Sequence, residues 1–339
     1  MSRTGNLKGI VALAAAGAGV MLAAGTVVYN YSINRSRKYL FGPYKKTKLA
    51  IGAGEFMRAD LSEETVSWAE QTAISQRKTT AFDGIALNAY AFEQKKESHR
   101  WLIAVHGYGQ APAAMFNVAK PFYEAGFNVL IPECRGTGHS GGDFYGLGWV
   151  DRLDVIRWCY SIIAEDPSAE FVLYGVSTGA DAVLMASGEE SLPANVRCVI
   201  ADSAYSKLTE LSNHLMKRQN LPAGPLTFST SIISTFMAGY SFADASAVNQ
   251  VAKSKTPTLF IHGGVDEYCP VEMAYELYEA ASCPKDLLIV SDADHGYAMF
   301  ADYNGYWSRV WQFIDRYAPS KKEEKSYFER LKGQIFRKQ

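Results

Sequence analysis

Residues 171–187 read FVLYGVSTGADAVLMAS, and the fold follows from them. Phe171 to Tyr174 is a short apolar run of strand character, Gly175-Val176-Ser177-Thr178-Gly179 comes directly after it, and an alanine-rich helical stretch begins at once. A chain that passes from strand to helix in so few residues turns sharply at Ser177, and flanking side chains would strike the neighbouring strand and helix, so glycines stand on both sides. The same turn lifts the Ser177 hydroxyl above the sheet, the setting of a nucleophile. Spacing alone does not select this serine, because Gly138-His139-Ser140-Gly141-Gly142 fits G-x-S-x-G equally well. Ser140, however, lies eight residues past Pro132 in a glycine-rich loop with no strand just before it and no helix just after. Ser177 is therefore the candidate nucleophile.

Working outward, strands and helices alternate. A polar strand reaching Thr80, a turn at Phe82-Asp83-Gly84 and a partner strand from Ile85 to Phe92 predict an antiparallel hairpin. Strands then follow at Trp101–Val105, Phe127–Ile131, Phe171–Tyr174, Cys198–Ala201, Thr258–Ile261 and Leu287–Val290. Helices are expected at Ala113–Tyr123, Trp149–Ile163, after Ser177, at Val271–Ala281 and from near Phe300. This is an α/β chain with a mostly parallel sheet and helices on both faces. About fifty residues, 203–253, interrupt the rhythm between two strands, and their Leu208, Leu211, Leu215 and Met216 recur at helical spacing before a Leu221-Pro222-Ala223-Gly224-Pro225 break. They read as a helical lid at the carboxyl edge of the sheet, where such sheets bind ligands, with a helical hairpin packed on the sheet as the alternative. Its apolar Leu215, Met216, Leu221, Phe228, Phe236 and Met237 suggest a pocket for an acyl or alkyl group.

A serine at its free pKa is a poor nucleophile, so it needs a base and an orienting acid, which this fold supplies later in the chain in the order Ser, Asp, His. Asp266 stands just past the Thr258–Ile261 strand in His262-Gly263-Gly264-Val265-Asp266, and His295 follows the last strand in Asp292-Ala293-Asp294-His295-Gly296. Asp202, at the end of the preceding strand, is the rival acid, while Asp292 and Asp294 read as loop-capping residues. His106 and His262 precede glycines at strand ends and read as structural, and His99, His139 and His214 have no such setting facing the turn. A tetrahedral intermediate also needs two backbone N–H donors. The Thr178 amide, beside the nucleophile, is one, and the Tyr108 amide in His106-Gly107-Tyr108-Gly109 is the other.

With these motifs in hand, the chain resembles the α/β-hydrolases, in the serine-hydrolase branch that includes lipases, monoacylglycerol-lipase-like esterases and serine aminopeptidase-like proteins. The resemblance covers roughly residues 75–318. It rests on His106 to Gly109, Arg135-Gly136-Thr137-Gly138-His139-Ser140, Gly175 to Gly179, His262 to Asp266 with Pro270, and Asp294-His295-Gly296. More narrowly, Gly148-Trp149-Val150-Asp151-Arg152, with an apolar segment ahead of the domain, is similar to a bacterial group of membrane-anchored or exported hydrolases of poorly defined substrate. The chain departs from the common pattern at Thr178, where relatives often have Met, and at Glu133, where Asp is common. Neither departure removes a catalytic group, and the first bears on the oxyanion pocket.

The 339 residues, 48% hydrophobic and 20% charged, are enough for a large core. The net charge of −1 hides an asymmetry: residues 1–48 carry eight basic residues and no acid, residues 321–339 carry seven against three Glu, and the body between is left at −13. An acidic body repels phosphate backbones, which argues against nucleic acid, whereas basic ends suit an anionic membrane. Ile10 to Tyr29 are twenty consecutive uncharged residues, about 30 Å of helix. The expected organisation is a basic segment 1–9, a transmembrane anchor or signal-anchor 10–29, a basic connector 30–60, a hydrolase domain 61–320 and a basic amphipathic tail helix 321–339. A cleavable signal with Ala23, Ala24 and Gly25 at its cleavage site competes with the anchor. A capping-box pattern from Asp60 to Glu63 opens the domain. A chain beginning near residue 49 is expected to be soluble and held to anionic vesicles by its tail. The catalytic domain is placed outside the cytoplasm by the exported-hydrolase resemblance, against the positive-inside rule, which favours the cytoplasm. Five scattered cysteines without C-x-x-C spacing signal neither a disulfide framework nor a zinc site, and no dinucleotide, P-loop or H-E-x-x-H motif is present, so no metal or other cofactor is expected.

The activity implied is hydrolysis of an ester, thioester or amide, on an apolar acyl substrate, by Ser177, His295 and Asp266 through an acyl-enzyme. Open alternatives are an aminopeptidase-like or acyl-transfer reaction with the same residues, and a silent scaffold that binds a ligand or protein at the membrane.

Overall fold

The strands Ser75–Thr80 (β1), Ala86–Phe92 (β2), Arg100–Val105 (β3), Asn128–Pro132 (β4), Glu170–Val176 (β5), Val196–Asp202 (β6), Thr258–Gly263 (β7) and Lys285–Val290 (β8) form one sheet in the order β1-β2-β4-β3-β5-β6-β7-β8. The structure is a computed structural model that describes residues 3–35 and 61–320, apart from the side chains of residues 3–16. β1 and β2 pair antiparallel, β2 pairs antiparallel with β4, and from β4 to β8 every pairing is parallel. The polar β1 lies at one edge and is largely exposed, which blunts that edge against further pairing.

The inner strands are mostly apolar because both of their faces are covered. Their side chains alternate between two cores. Trp101, Ile103, Val105, Phe171, Leu173 and Val199 pack on one side, while Leu102, Ala104, Val172, Tyr174, Cys198 and Ile200 pack on the other. The first core is covered by Asp151–Ile163 (α4), Thr178–Ser187 (α5) and Glu272–Ala280 (α9), and the second by Glu63–Gln71 (α2), Phe116–Glu124 (α3) and Tyr303–Tyr317 (α11). Ser62, whose hydroxyl accepts from the Thr65 amide at 3.1 Å, caps α2. The cap expected at Asp60 lies outside the described residues. The helix expected over Ala113–Tyr123 opens as a 3₁₀ turn at Pro112–Met115.

Arg135, from the glycine-rich loop after β4, is buried and grips Asp154 of α4 with two hydrogen bonds of 2.9 and 2.8 Å, and reaches Asp83 of the β1–β2 turn at 2.8 Å. Ser140 belongs to the same loop and is 3% exposed. Its hydroxyl donates to the Glu133 carbonyl at 2.7 Å and accepts from the Asn88 amide at 2.9 Å.

Between β6 and β7 the insertion forms Leu208–Arg218 (α6), Ala223–Ala238 (α7) and the short Ala247–Val251 (α8). α7 carries no charged residue. The helix Arg3–Ser32 (α1) packs against it. In the last turns of α1, Gly25, Tyr29 and Ile33 are buried and Met21, Ala24, Val28 and Ser32 half-buried, whereas Leu22, Ala23, Thr26, Val27 and Tyr31 are exposed. That is one helical face laid on the body. The crossing is close: a Cβ at Gly25 would come within 2.6 Å of Ser229 Oγ, which gives Gly25 a packing role, with the half-buried Ala24 beside it.

Among the described residues no helix is long and apolar enough to cross a membrane. The anchor expected at residues 10–29 takes in 10–16, whose side chains lie outside those described. The connector from residue 36 to 60 and the tail 321–339 lie outside them altogether.

Candidate active site

Ser177 ends β5 and precedes α5 with φ 56° and ψ −128°, a region that costs a non-glycine residue on the order of 1–3 kcal/mol. The turn is held because the Ser177 amide donates to the Asp202 carbonyl at 2.8 Å. The flanking glycines are required by contact. A Cβ at Gly175 would collide with the Gly179 carbonyl, and one at Gly179 with the Val105 carbonyl.

The structure brings His295 and Asp266 to this serine. His295 lies on the loop after β8, with Nε2 2.8 Å from Ser177 Oγ and Nδ1 2.7 Å from Asp266 Oδ2. A carboxylate only accepts, so Nδ1 carries the proton and Nε2 is left to accept the serine O–H. Asp266 Oδ1 accepts the amides of Tyr268 and Cys269 at 2.9 and 2.7 Å. His262 Nε2 lies 3.2 Å from Asp266 Oδ2 and 2.8 Å from the Cys269 carbonyl, both acceptors, so this nitrogen also carries its proton. Burial alone would push the Asp266 carboxyl up, but the bonds from His262, His295 and the Cys269 amide outweigh it and hold the group well below the usual carboxylate range.

His262, expected to be structural, is thus a second donor to the acid, and its spacing of four residues from Asp266 was the available signal. Asp202, the rival acid, spends its carboxylate elsewhere: it accepts the Ser203 hydroxyl at 2.9 Å and the Tyr306 hydroxyl at 2.9 Å, and Tyr306 bonds in turn to the Tyr174 hydroxyl. Ser203 also accepts the Gly296 amide at 3.0 Å, which seats the loop of His295. Asp294 is a loop tie as expected, its Oδ1 taking the His295 amide at 2.7 Å and the Glu267 amide at 3.3 Å. Asp292 is exposed.

The remaining histidines sit apart from Ser177. His106 is fully buried, accepts the Cys134 amide on Nε2 at 3.2 Å and points Nδ1 at the Gly107 carbonyl, and burial pushes its pKa down to about 4, so it is neutral and structural. His99 bonds to Asp166, His139 to Glu133 and His214 to the Glu267 carbonyl.

The segment after β3 runs beside the nucleophile, since a Cβ at Gly107 would lie 3.0 Å from the Ser177 Cβ. Thr178 opens α5, where first-turn amides lack intrahelical acceptors and the helix end is positive. The Tyr108 ring rests on Tyr145, centroids 4.6 Å apart, and its hydroxyl donates to the Ser32 carbonyl of α1 at 2.8 Å. Two cavities meet here. One of about 330 Å³ is lined by Ser177, His295, Gly107, Val118 and Met299. The other, about 490 Å³, is lined by residues of α1 and α6 and by Thr178. Tyr108 and Tyr268 border both. Of the apolar lid residues expected at a pocket, Leu215, Met216 and Leu221 line the larger cavity, but Phe228, Phe236 and Met237 of α7 are exposed. An uncharged helix gives no polar face by which its inward side could be told.

The sequence model of the prolyl oligopeptidase family matches residues 113–321. The chain is similar to YqkD, an uncharacterized protein of Bacillus subtilis strain 168, at 26% identity over 252 residues, which cover 72% of this chain and 81% of that one. Among solved structures it resembles an esterase of Pyrococcus furiosus, with a TM-score of 0.61 and 22% identity over 76% of this chain and 95% of the esterase. An acylaminoacyl peptidase of Pyrococcus horikoshii superposes with a TM-score of 0.56 and 15% identity over 77% of this chain and 44% of the peptidase.

Proposed function

The chain belongs to the prolyl oligopeptidase family and is a serine hydrolase of the α/β-hydrolase superfamily, and we propose that it hydrolyses carboxylic esters of apolar acyl groups with Ser177, His295 and Asp266. The observation that carries this reading is the continuous line from Ser177 Oγ through the His295 ring to Asp266, with contacts of 2.8 and 2.7 Å. Ser177 Oγ attacks the carbonyl carbon as its proton passes to His295 Nε2, and Asp266 stabilises the imidazolium that forms. The negative oxygen of the tetrahedral intermediate is taken by the amides of Tyr108 and Thr178. Collapse breaks the bond to the leaving group, which receives the proton from His295. Water then repeats the sequence on the acyl-enzyme, with His295 again as base. Every proton and electron pair has a place on the chain's own groups.

Ester hydrolysis is favoured over release of an amino-terminal residue by the charges at the site. A free α-amine needs a nearby carboxylate, and among the described residues lining the two cavities the one acid is Asp202, engaged by Ser203 and Tyr306. The uncharged run of residues 10–29, continuous with a helix packed on the lid, supports attachment to a lipid bilayer with the basic tail 321–339 on the same surface, and the resemblance to exported hydrolases supports a domain outside the cytoplasm, against the positive-inside rule.

Fluorophosphonate labelling of the full chain in detergent, followed by p-nitrophenyl esters and aminoacyl amides, tests the reading. Stoichiometric labelling with esters cleaved fastest is expected. An aminoacyl amide cleaved faster than every ester would replace it with the peptidase assignment.

A further inference from the structure

The two cavities at Ser177 are not equivalent, because only one of them faces the base. His295 lines the smaller cavity, and a leaving group must collect its proton from His295 Nε2, so it departs on that side. The larger cavity begins beyond Tyr108 and Tyr268 and reaches Thr178, and neither Ser177 nor His295 lines it. An acyl chain held there would leave the path past His295 open to the leaving group.

No charged residue lines this space of about 490 Å³. One wall is a single face of α6, where Leu208, Leu211 and Leu215 follow at helical spacing. α1 also lines it, through Val28 and Tyr31. α1 is fastened there by the buried Tyr29 and Ile33 and by the bond from the Tyr108 hydroxyl to the Ser32 carbonyl. The residue whose amide faces the oxyanion thus also touches the amino-terminal helix.

We propose that this cavity receives the acyl chain, an uncharged aliphatic chain of medium length, and that the amino-terminal helix is a wall of the substrate site. The proposal rests on the ester-hydrolase reading above. Each methylene drawn from water into such a cavity raises kcat/KM about fourfold until the space is filled.

The test uses the full chain in detergent and straight-chain p-nitrophenyl esters from acetate to dodecanoate. The quantity read is the ratio of kcat/KM for octanoate to that for acetate, taken within each protein so that a general loss of activity cancels. The wild-type ratio should be large. Val28→Trp and Leu215→Trp, which fill the cavity from two different helices, should lower it at least about tenfold. Val28→Ala, which removes bulk and strains nothing, should move the optimum to a longer chain. Phe236→Ser, on the exposed face of α7 at 83% exposure, should leave the ratio within about twofold. If Leu215→Trp lowers the ratio and both Val28 variants keep the wild-type profile, α1 is no wall. If neither helix moves the ratio, the acyl chain lies elsewhere. A wild type that takes fluorophosphonate yet shows no gain with chain length overturns the acyl-pocket proposal alone. One that neither labels nor cleaves any ester overturns the hydrolase reading, and the proposal falls with it.

Discussion

Ser177→Ala abolishes fluorophosphonate labelling and lowers kcat on the best ester by about 10⁴- to 10⁶-fold, the scale on which loss of a serine nucleophile acts. The attacking oxygen sits at a strained position from which it reaches His295 at 2.8 Å. Residual turnover above the uncatalysed rate is expected, because the two backbone donors and the substrate cavities survive the change. Ser140→Ala gives the contrasting result. It keeps full labelling and loses about 1–3 kcal/mol of stability in denaturant unfolding, since it leaves the Asn88 amide of β2 without its acceptor and the buried Glu133 carbonyl without its donor. Label recovered on Ser140, or persisting in the Ser177 variant, would overturn the assignment.

Asp266→Asn lowers kcat by about 10³- to 10⁴-fold, while Asp202→Asn stays within about tenfold. The acid now fixes the proton of His295 on Nδ1. An amide in its place can donate to that nitrogen, which puts the ring proton on Nε2, facing Ser177 and unable to accept. Asp202 serves Ser203 and Tyr306 and leaves the ring proton where it is. The acid also has a signature in stability. Its carboxyl is held below the value near ~3.9 of an unfolded chain, so the ionised group adds stability above about pH 4, and that contribution is lost as the pH falls through the folded-state value. Asparagine does not titrate. The melting temperature of the wild type minus that of Asp266→Asn should therefore decrease between pH 6 and pH 3, and a constant difference would show that the carboxylate is not held.

What could be read from sequence was local. Ser177 announces itself because strand, glycines and helix are contiguous, and Asp266 and His295 because each closes a strand. The residues that hold them were not legible, because the contacts are remote in the chain: Ser203 to Gly296 spans 93 positions and Tyr306 to Asp202 spans 104. α1 failed to show its second role for a different reason. Hydropathy reports that a helix avoids water, not whether lipid or protein is its neighbour. Ile10 to Tyr29 reads as one uncharged run, yet from Met21 onward one face of it is packed on the body.

That packing bears on how the protein is to be handled. A chain shortened to begin near residue 49, the natural choice if the first helix were a detachable tether, discards Tyr29 and Ile33 at 3% and 0% exposure. Their burial is worth roughly 3–6 kcal/mol together. It would also bare the side of α7 that Gly25 allows to come so close. The expected product is a preparation that precipitates or melts early, whereas a chain that begins at residue 17 keeps every turn whose described side chains are packed on the body. The practical amino-terminal limit of the folded body therefore falls inside the first helix, and not at its end.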